Sequence, residues 1–182
     1  METNAPAARP KLAPAAAVRP SLTAVILAPR WRLGRRAAAR RAVDAALERW
    51  RPHVRRLLVA AQAAAVPALK TSAADELLIV PESDSSLSAV SCALSACPED
   101  PLLLLDPAVE VSPERLDEMA AALLPRTPAV ALVHPEKRLL PFPLLVRQAA
   151  RPLIEALLEQ GCGDVGDLMR RPSARLILLG RD

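Results

Sequence analysis

The chain has 182 residues, 52% of them apolar, which suits one domain with a proper core and excludes wholesale disorder. Aromatics are only 2%, so the core must be Leu, Val, Ile and Ala, and an aromatic base-stacking platform of the RNA-binding type is excluded. The 24 Lys and Arg outnumber the 20 Asp and Glu for a formal +4, and most of the excess falls in residues 30–56, which points to an anionic guest.

Residues 1–20 are rich in Ala and Pro and lack an apolar signal core, so they read as a disordered leader to a folded domain at residues 21–182. No window offers the roughly 18–20 uninterrupted apolar residues of a membrane helix. The three cysteines, Cys92, Cys97 and Cys162, are odd in number and lack CxxC spacing. Neither a disulfide framework nor a zinc site is indicated, and a reducing, cytoplasmic setting is expected.

Leu22, Ala24, Val25, Ile26, Leu27 and Ala28 form an almost unbroken apolar run, the pattern of a parallel strand covered on both faces. Pro29 ends it, and Arg30, Arg32, Arg35 and Arg36 follow around Trp31, Leu33 and Gly34. Open α/β sheets bind ligands beyond the carboxyl ends of their strands, so these guanidiniums either meet phosphates there or coat a solvated helix start. Ala39, Val43, Ala46, Leu47 and Trp50 then recur at helical spacing, with Arg40 and Asp44 placed to pair, and Pro52 ends the helix.

Residues 55–61 and 76–80 read as second and third strands, separated by a short Ala-rich helix interrupted by Pro67. Ser85 or Ser86 caps a helix running through Ala96. Residues 101–105, PLLLL, are the most hydrophobic strand and therefore central, and they run straight into Asp106. A carboxylate there either holds Mg²⁺ against a nucleotide's phosphates or caps the following turn. Ser112 as cap, Pro113 at the first helical position and Glu114 open another helix, with Leu116, Met119, Ala120 and Leu123 inward.

Residues 129–134 are a fifth strand ending in His134, either a substrate contact or a structural histidine. Pro141 and Pro143 mark residues 139–147 as an edge strand or extended crossing. A helix bearing Leu153, Ile154, Leu157 and Leu158 stops at Gly161, Asp164 caps a short one, and residues 175–179 form the last strand. This alternation argues a three-layer αβα sandwich with a mostly parallel sheet.

The order of pieces resembles the MobA-like nucleotidyltransferases, the molybdenum cofactor guanylyltransferase type, over most of residues 22–179. Leu27, Ala28, Arg32 and Gly34 are similar to the family's signature loop of the form L-A-G-G, then R-M-G. LERWRPHVRRLLVAAQ (residues 47–62) resembles its first helix and second strand, and LLLLDPAVEVSPERL (102–116) its metal-binding strand and next helix. PFPLLVRQAARPLIEALLEQG (141–161) resembles its late substrate-side segment.

The resemblance implies a Rossmann-like, nucleotide-diphospho-sugar-transferase-like fold. It implies a nucleoside triphosphate donor, GTP or CTP, a molybdopterin-type phosphate acceptor and release of pyrophosphate. The nucleotide would be held by Leu27, Ala28, Arg30, Arg32, Gly34 and Arg36, with Arg32 and Arg35 acting on the transferred phosphate and Asp106 on Mg²⁺.

Several departures fall on that loop and that strand. Pro29 and Arg30 stand where the family has Gly-Gly, the loop is about two residues short, and Pro29 has no N–H to offer a phosphate. Ala37 stands at the family's lysine and Pro107 at its metal aspartate, with Asp106 one residue early, while Ser86, Leu87 and Ser88 replace a Gly-Pro-Leu-like stretch. These changes imply weakened or absent transfer, and they open an alternative: a non-catalytic accessory or binding protein of molybdenum cofactor maturation that keeps the fold and holds a protein partner. Nucleic-acid binding through residues 30–56 lacks a recognition motif, since phosphate attraction alone is nonspecific.

Overall fold

In the computed structural model, which describes residues 22–28, 36–69, 73–81, 85–109, 111–112, 114–133 and 142–178, the first apolar run becomes β1 (Thr23–Ala28) with every residue buried. Helix α1 (Arg36–Trp50) and a 3-10 turn (Arg51–His53) lead to β2 (Arg56–Gln62). A second 3-10 turn (Ala63–Ala65), α2 (Val66–Leu69) and β3 (Glu76–Val80) complete the first half. Helix α3 (Ser86–Ala96), β4 (Leu102–Leu105), α4 (Arg115–Ala122) and β5 (Ala129–Val133) follow. The chain then forms β6 (Leu144–Val146), a 3-10 turn (Gln148–Ala150), α5 (Arg151–Glu159), α6 (Val165–Met169) and β7 (Arg175–Leu178).

The strands make one seven-stranded sheet in the order β3-β2-β1-β4-β6-β5-β7. β6 runs antiparallel to both its neighbours, and the remaining pairings are parallel. The all-leucine β4 is the fourth of seven strands, as its hydrophobicity predicts. A strand flanked on both sides and covered on both faces has no position left for a polar side chain.

The sheet separates two packed layers. Val25 and Leu27 point to the layer of α3, α5 and α6, where Leu87, Val90, Ile154 and Leu168 are buried. Ala24 and Ile26 point to the layer of α1 and α4, with Val43, Leu47, Trp50 and Met119. Each fully buried aliphatic of this size stabilises by about 1.5–3 kcal/mol, against about 0.3–0.5 kcal/mol for an exposed i,i+4 pair. Packing of Val43, Leu47 and Trp50 therefore anchors α1, and the Arg40–Asp44 pair at 3.4 Å adds little.

Three local expectations change. The strand expected in residues 139–147 is not at an edge: among the described residues of that segment only Leu144–Val146 enters the ladder, internally between β4 and β5, while Pro141 lies outside the described residues. Pro143 lies just before the paired residues, where its missing N–H costs the ladder nothing. Pro67 does not interrupt a helix but sits in the first turn of α2, where proline is tolerated. Regular α-helix in α4 begins at Arg115, whose N–H bonds the Ser112 carbonyl at 3.1 Å, so Ser112 opens a tight 3-10-type turn ahead of it.

The leader at residues 1–20 lies outside the described residues. Among the described residues no helix is long and apolar enough to cross a membrane.

Candidate functional site

The winding of the sheet fixes where a ligand can sit. From β1 the chain moves outward through β2 to β3, then returns to place β4 on the other side of β1, so the topology switches between β1 and β4. These strands are parallel and in register to Ile26 and Leu105, and Leu27 and Asp106 are the next residues at their carboxyl ends.

A cleft of about 940 Å³ opens at this switch point. Its floor is apolar, from Leu27, Ala28, Ala60 and Val80. Gln62, Ser85 and Ser86 supply neutral polar groups on the side of β2 and α3. Asp106 and Phe142 also line the cleft, and the turn of residues 161–164, with Asp167 beyond it, adjoins Ser85 and Ser86.

Asp106 is the chemically distinctive group. Its Oδ1 accepts the Ala108 N–H at 2.8 Å, and its carbonyl accepts the Val109 N–H at 3.1 Å. The turn-capping role is thus realised. Burial pushes its carboxyl above the usual carboxylate range, and the Ala108 N–H offsets only part of that. Asp164 also caps a turn, of α6, through the Gly166 N–H at 2.7 Å, but it is exposed, and Asp167 pairs with Arg170. Among the described residues Asp106 is the cleft carboxylate that combines desolvation with the lack of a cationic partner.

The amino end of α3, where a phosphate might be expected, is largely occupied from within. The Leu87 N–H donates to the Gly163 carbonyl at 3.1 Å, and the Ser88 N–H to the Ser85 hydroxyl at 3.0 Å. Gly163 is brought there by the end of α5. Gly161 adopts φ +77°, the left-handed conformation that glycine accepts without strain. The Cys162 N–H reaches the Leu157 carbonyl at 2.9 Å and the Gly161 N–H the Leu158 carbonyl at 3.0 Å, the paired bonds of a Schellman turn.

Of the residues singled out from sequence, Leu27, Ala28 and Asp106 line one cleft. Arg30, Arg32, Gly34, Arg35 and His134 lie outside the described residues, as does the side chain of Arg36, which opens α1. By connectivity the segment of residues 29–35 runs from Ala28 on the cleft to the start of α1. Gln62, Phe142, Cys162 and Asp167 were not anticipated as site residues. Gln62 is a polar residue closing an apolar strand, a weak local signal. The others arrive through tertiary packing alone.

No group of three or more His, Cys, Asp or Glu side chains among the described residues is arranged to hold a metal by itself. A single desolvated carboxylate does fit Mg²⁺ or Mn²⁺ arriving with a nucleotide, because such ions keep waters and phosphate oxygens and take only one or two carboxylates.

As a sequence, the chain matches no family model and no curated protein. Its fold recurs in solved structures. The protein Aq1419 from Aquifex aeolicus VF5 is similar with a TM-score of 0.71 and 12% identity, over 87% of this chain and 86% of that one. Rv0371c from Mycobacterium tuberculosis H37Rv, in complex with manganese, gives 0.65 and 18%, over 89% and 90%. Molybdopterin-guanine dinucleotide biosynthesis protein A from Archaeoglobus fulgidus gives 0.62 and 15%, over 86% and 83%. At these identities the likeness shows a shared, mostly parallel α/β fold.

Proposed function

We propose that the cleft binds a nucleoside triphosphate with a divalent cation and transfers its nucleotidyl group to a phosphorylated acceptor. The single observation that carries this reading is Asp106: a desolvated carboxylate without a cationic partner among the described residues, at the end of the central strand and facing a cleft at the topological switch point. An acid held in that state by the fold gains most from a bound cation. The fold shared with molybdopterin-guanine dinucleotide biosynthesis protein A supports a GTP- or CTP-type donor and a molybdopterin-type acceptor, and the manganese complex of Rv0371c supports a divalent metal.

In this reading an acceptor phosphate oxygen forms a bond to the α-phosphorus as the bond to the β-phosphate bridging oxygen breaks, and pyrophosphate leaves. Such transfers depend on positioning and charge stabilisation rather than on a protein nucleophile. Asp106 would hold the divalent cation, which would supply charge neutralisation on the phosphate oxygens. Arg32 and Arg35, with Arg30 and Arg36, are assigned to the phosphates, and Leu27, Ala28 and the backbone at Gly34 to the nucleotide.

A second reading, a non-catalytic nucleotide or partner binder, is favoured by the amino end of α3, whose Leu87 and Ser88 amides are already used internally. Pro29 and Ala37 add to it by removing an amide and an amine from the expected phosphate site. Thermal unfolding with GTP, CTP or ATP, each with Mg²⁺ or Mn²⁺, tests the proposal. A nucleotide at a hundredfold excess over Kd stabilises by about 2.7 kcal/mol, a rise of about 5–10 °C for a chain of this size. Asp106→Asn should abolish the metal-dependent part. Pyrophosphate release separates transfer from mere binding, and indifference to every metal–nucleotide pair would reject both readings of the cleft as a nucleotide site.

A further inference from the structure

We infer that Ser85 and Ser86 are positioning residues: through Gly163 they hold the turn of residues 161–164 against the start of α3, so that two segments distant in sequence form one fixed wall of the cleft. The bonds that cross this seam join residues almost 80 positions apart. The Ser85 hydroxyl donates to the Gly163 carbonyl at 2.9 Å, the Leu87 N–H reaches the same oxygen at 3.1 Å, and the Ser86 hydroxyl lies 3.4 Å from it. In return the Val165 N–H donates to the Ser86 hydroxyl at 3.0 Å. A methyl group added at Gly163 would lie 3.4 Å from both Cβ and Oγ of Ser85, in ordinary van der Waals contact, so the turn packs directly against the Ser85 side chain.

Ser85 has two tasks, since it also caps α3 through the Ser88 N–H. Ser86 spends its hydroxyl entirely on the turn among the described contacts. That turn carries Cys162 and Asp164, which line the same cleft as Leu27, Ala28 and Asp106. If substrates bind there, as the proposed function has it, the placement of the turn shapes the space they share. The coupling to a bound nucleotide rests on that reading, whereas the seam itself does not.

Cys162 reports on the seam. It is half-buried on the turn, while Cys92 is half-buried and Cys97 buried elsewhere, and all three are free thiols. In the full chain, alkylation by iodoacetamide is followed at each cysteine by peptide mass spectrometry, for the parent, Ser86→Ala, Ser85→Ala/Ser86→Ala and Ser86→Thr. Loss of one to two hydrogen bonds should speed Cys162 alkylation by about tenfold in the double variant, with Cys92 and Cys97 unchanged. Ser86→Thr, which keeps the hydroxyl, should return the rate towards that of the parent.

An unchanged Cys162 rate in the double variant overturns the inference. So does a parallel rise at all three thiols, which would mark general loosening. A saturating metal–nucleotide pair, chosen by its thermal shift, should slow Cys162 alkylation more in the parent than in the double variant. Equal slowing in both would indicate simple covering of the thiol and overturn the coupling. If no nucleotide shifts the melting temperature, the proposed function fails while the ligand-free alkylation comparison still decides the seam.

Discussion

The two ends of the same parallel strands treat their carboxylates in opposite ways. At the amino ends, Arg56 bridges Glu76 and Glu99, Arg51 holds Asp75 at 2.7 Å, and Arg147 approaches Asp100 at 3.6 Å. Asp75 also accepts the Leu57 N–H at 2.7 Å, which ties the β2–β3 connection to the start of β2. At the carboxyl ends, Asp106 has one backbone donor. Burial is the largest influence on Asp75, Glu99 and Asp106 alike, and it raises all three. For Asp75 the Arg51 guanidinium and the Leu57 N–H overcome it, and for Glu99 its own backbone N–H and Arg56 do, so both end below the usual carboxylate range. Asp106 alone of these three ends above it. Desolvation is therefore shared by the two ends, and among the described residues the supply of counter-charge distinguishes them: it is present at the amino ends and missing beside Asp106, as the proposed function requires.

The largest effect expected from breaking this contrast is at Arg56. Arg56→Ala strips the cation from Glu99, whose side chain is only 20% exposed, and from the more exposed Glu76. The cost lies between that of an exposed pair and that of a buried one, about 1–2 kcal/mol, or a fall in Tm of about 2–8 °C. Thermal unfolding at pH 7 measures it, and a loss indistinguishable from that of the exposed Arg151–Glu155 pair in Arg151→Ala would show that the network contributes nothing special.

The pH dependence gives the next effect and a check on its sign. Because the carboxyls of Asp75 and Glu99 are lowered in the fold, their stabilisation is complete above the unfolded carboxylate range and is lost as pH falls through their folded values. The difference in Tm between the parent and Arg56→Ala should therefore be full at pH 7 and shrink as pH falls below the usual carboxylate range and through the lowered folded value of Glu99. A difference that stays constant to pH 3 would assign the loss to packing of the Arg56 stem rather than to charge.

The local sequence declares its elements better than their company. The runs at β1 and β4 are legible because a strand buried on both faces is apolar almost throughout, Thr23 at the start of β1 being the exception, and Asp106 stands out because it ends such a run. Gly161 and the cap residues Ser85 and Asp164 are legible because only a few residue types satisfy helix ends. The placement of β6 is not, because Pro141 and Pro143 give the same warning whether they lie within a ladder or just before it. The seam between Ser86 and Gly163 is equally silent, since nothing in a serine or a glycine names a partner almost 80 residues away. Leu27, Ala28 and Asp106 line one cleft, whereas the arginines expected beside them lie outside the described residues.

The smallest expected effect sharpens the contrast most, because its sign should reverse. Asp106→Asn keeps an acceptor for the Ala108 N–H and removes the charge that burial disfavours, so without ligand the variant should be slightly more stable, by about 0.5 kcal/mol or 1–2 °C. The sign follows from the raised carboxyl: the charged form penalises the fold above its folded pKa, so the gain is present at pH 7 and fades as pH falls and the parent becomes protonated. With Mn²⁺ and a bound nucleotide the order should invert, the parent now the more stable, because the cation supplies the counter-charge that Arg51 and Arg56 supply at the opposite end. A variant less stable than the parent in the absence of ligand would mean that Asp106 already has its cation within the chain, and the cleft would lose its claim to a metal.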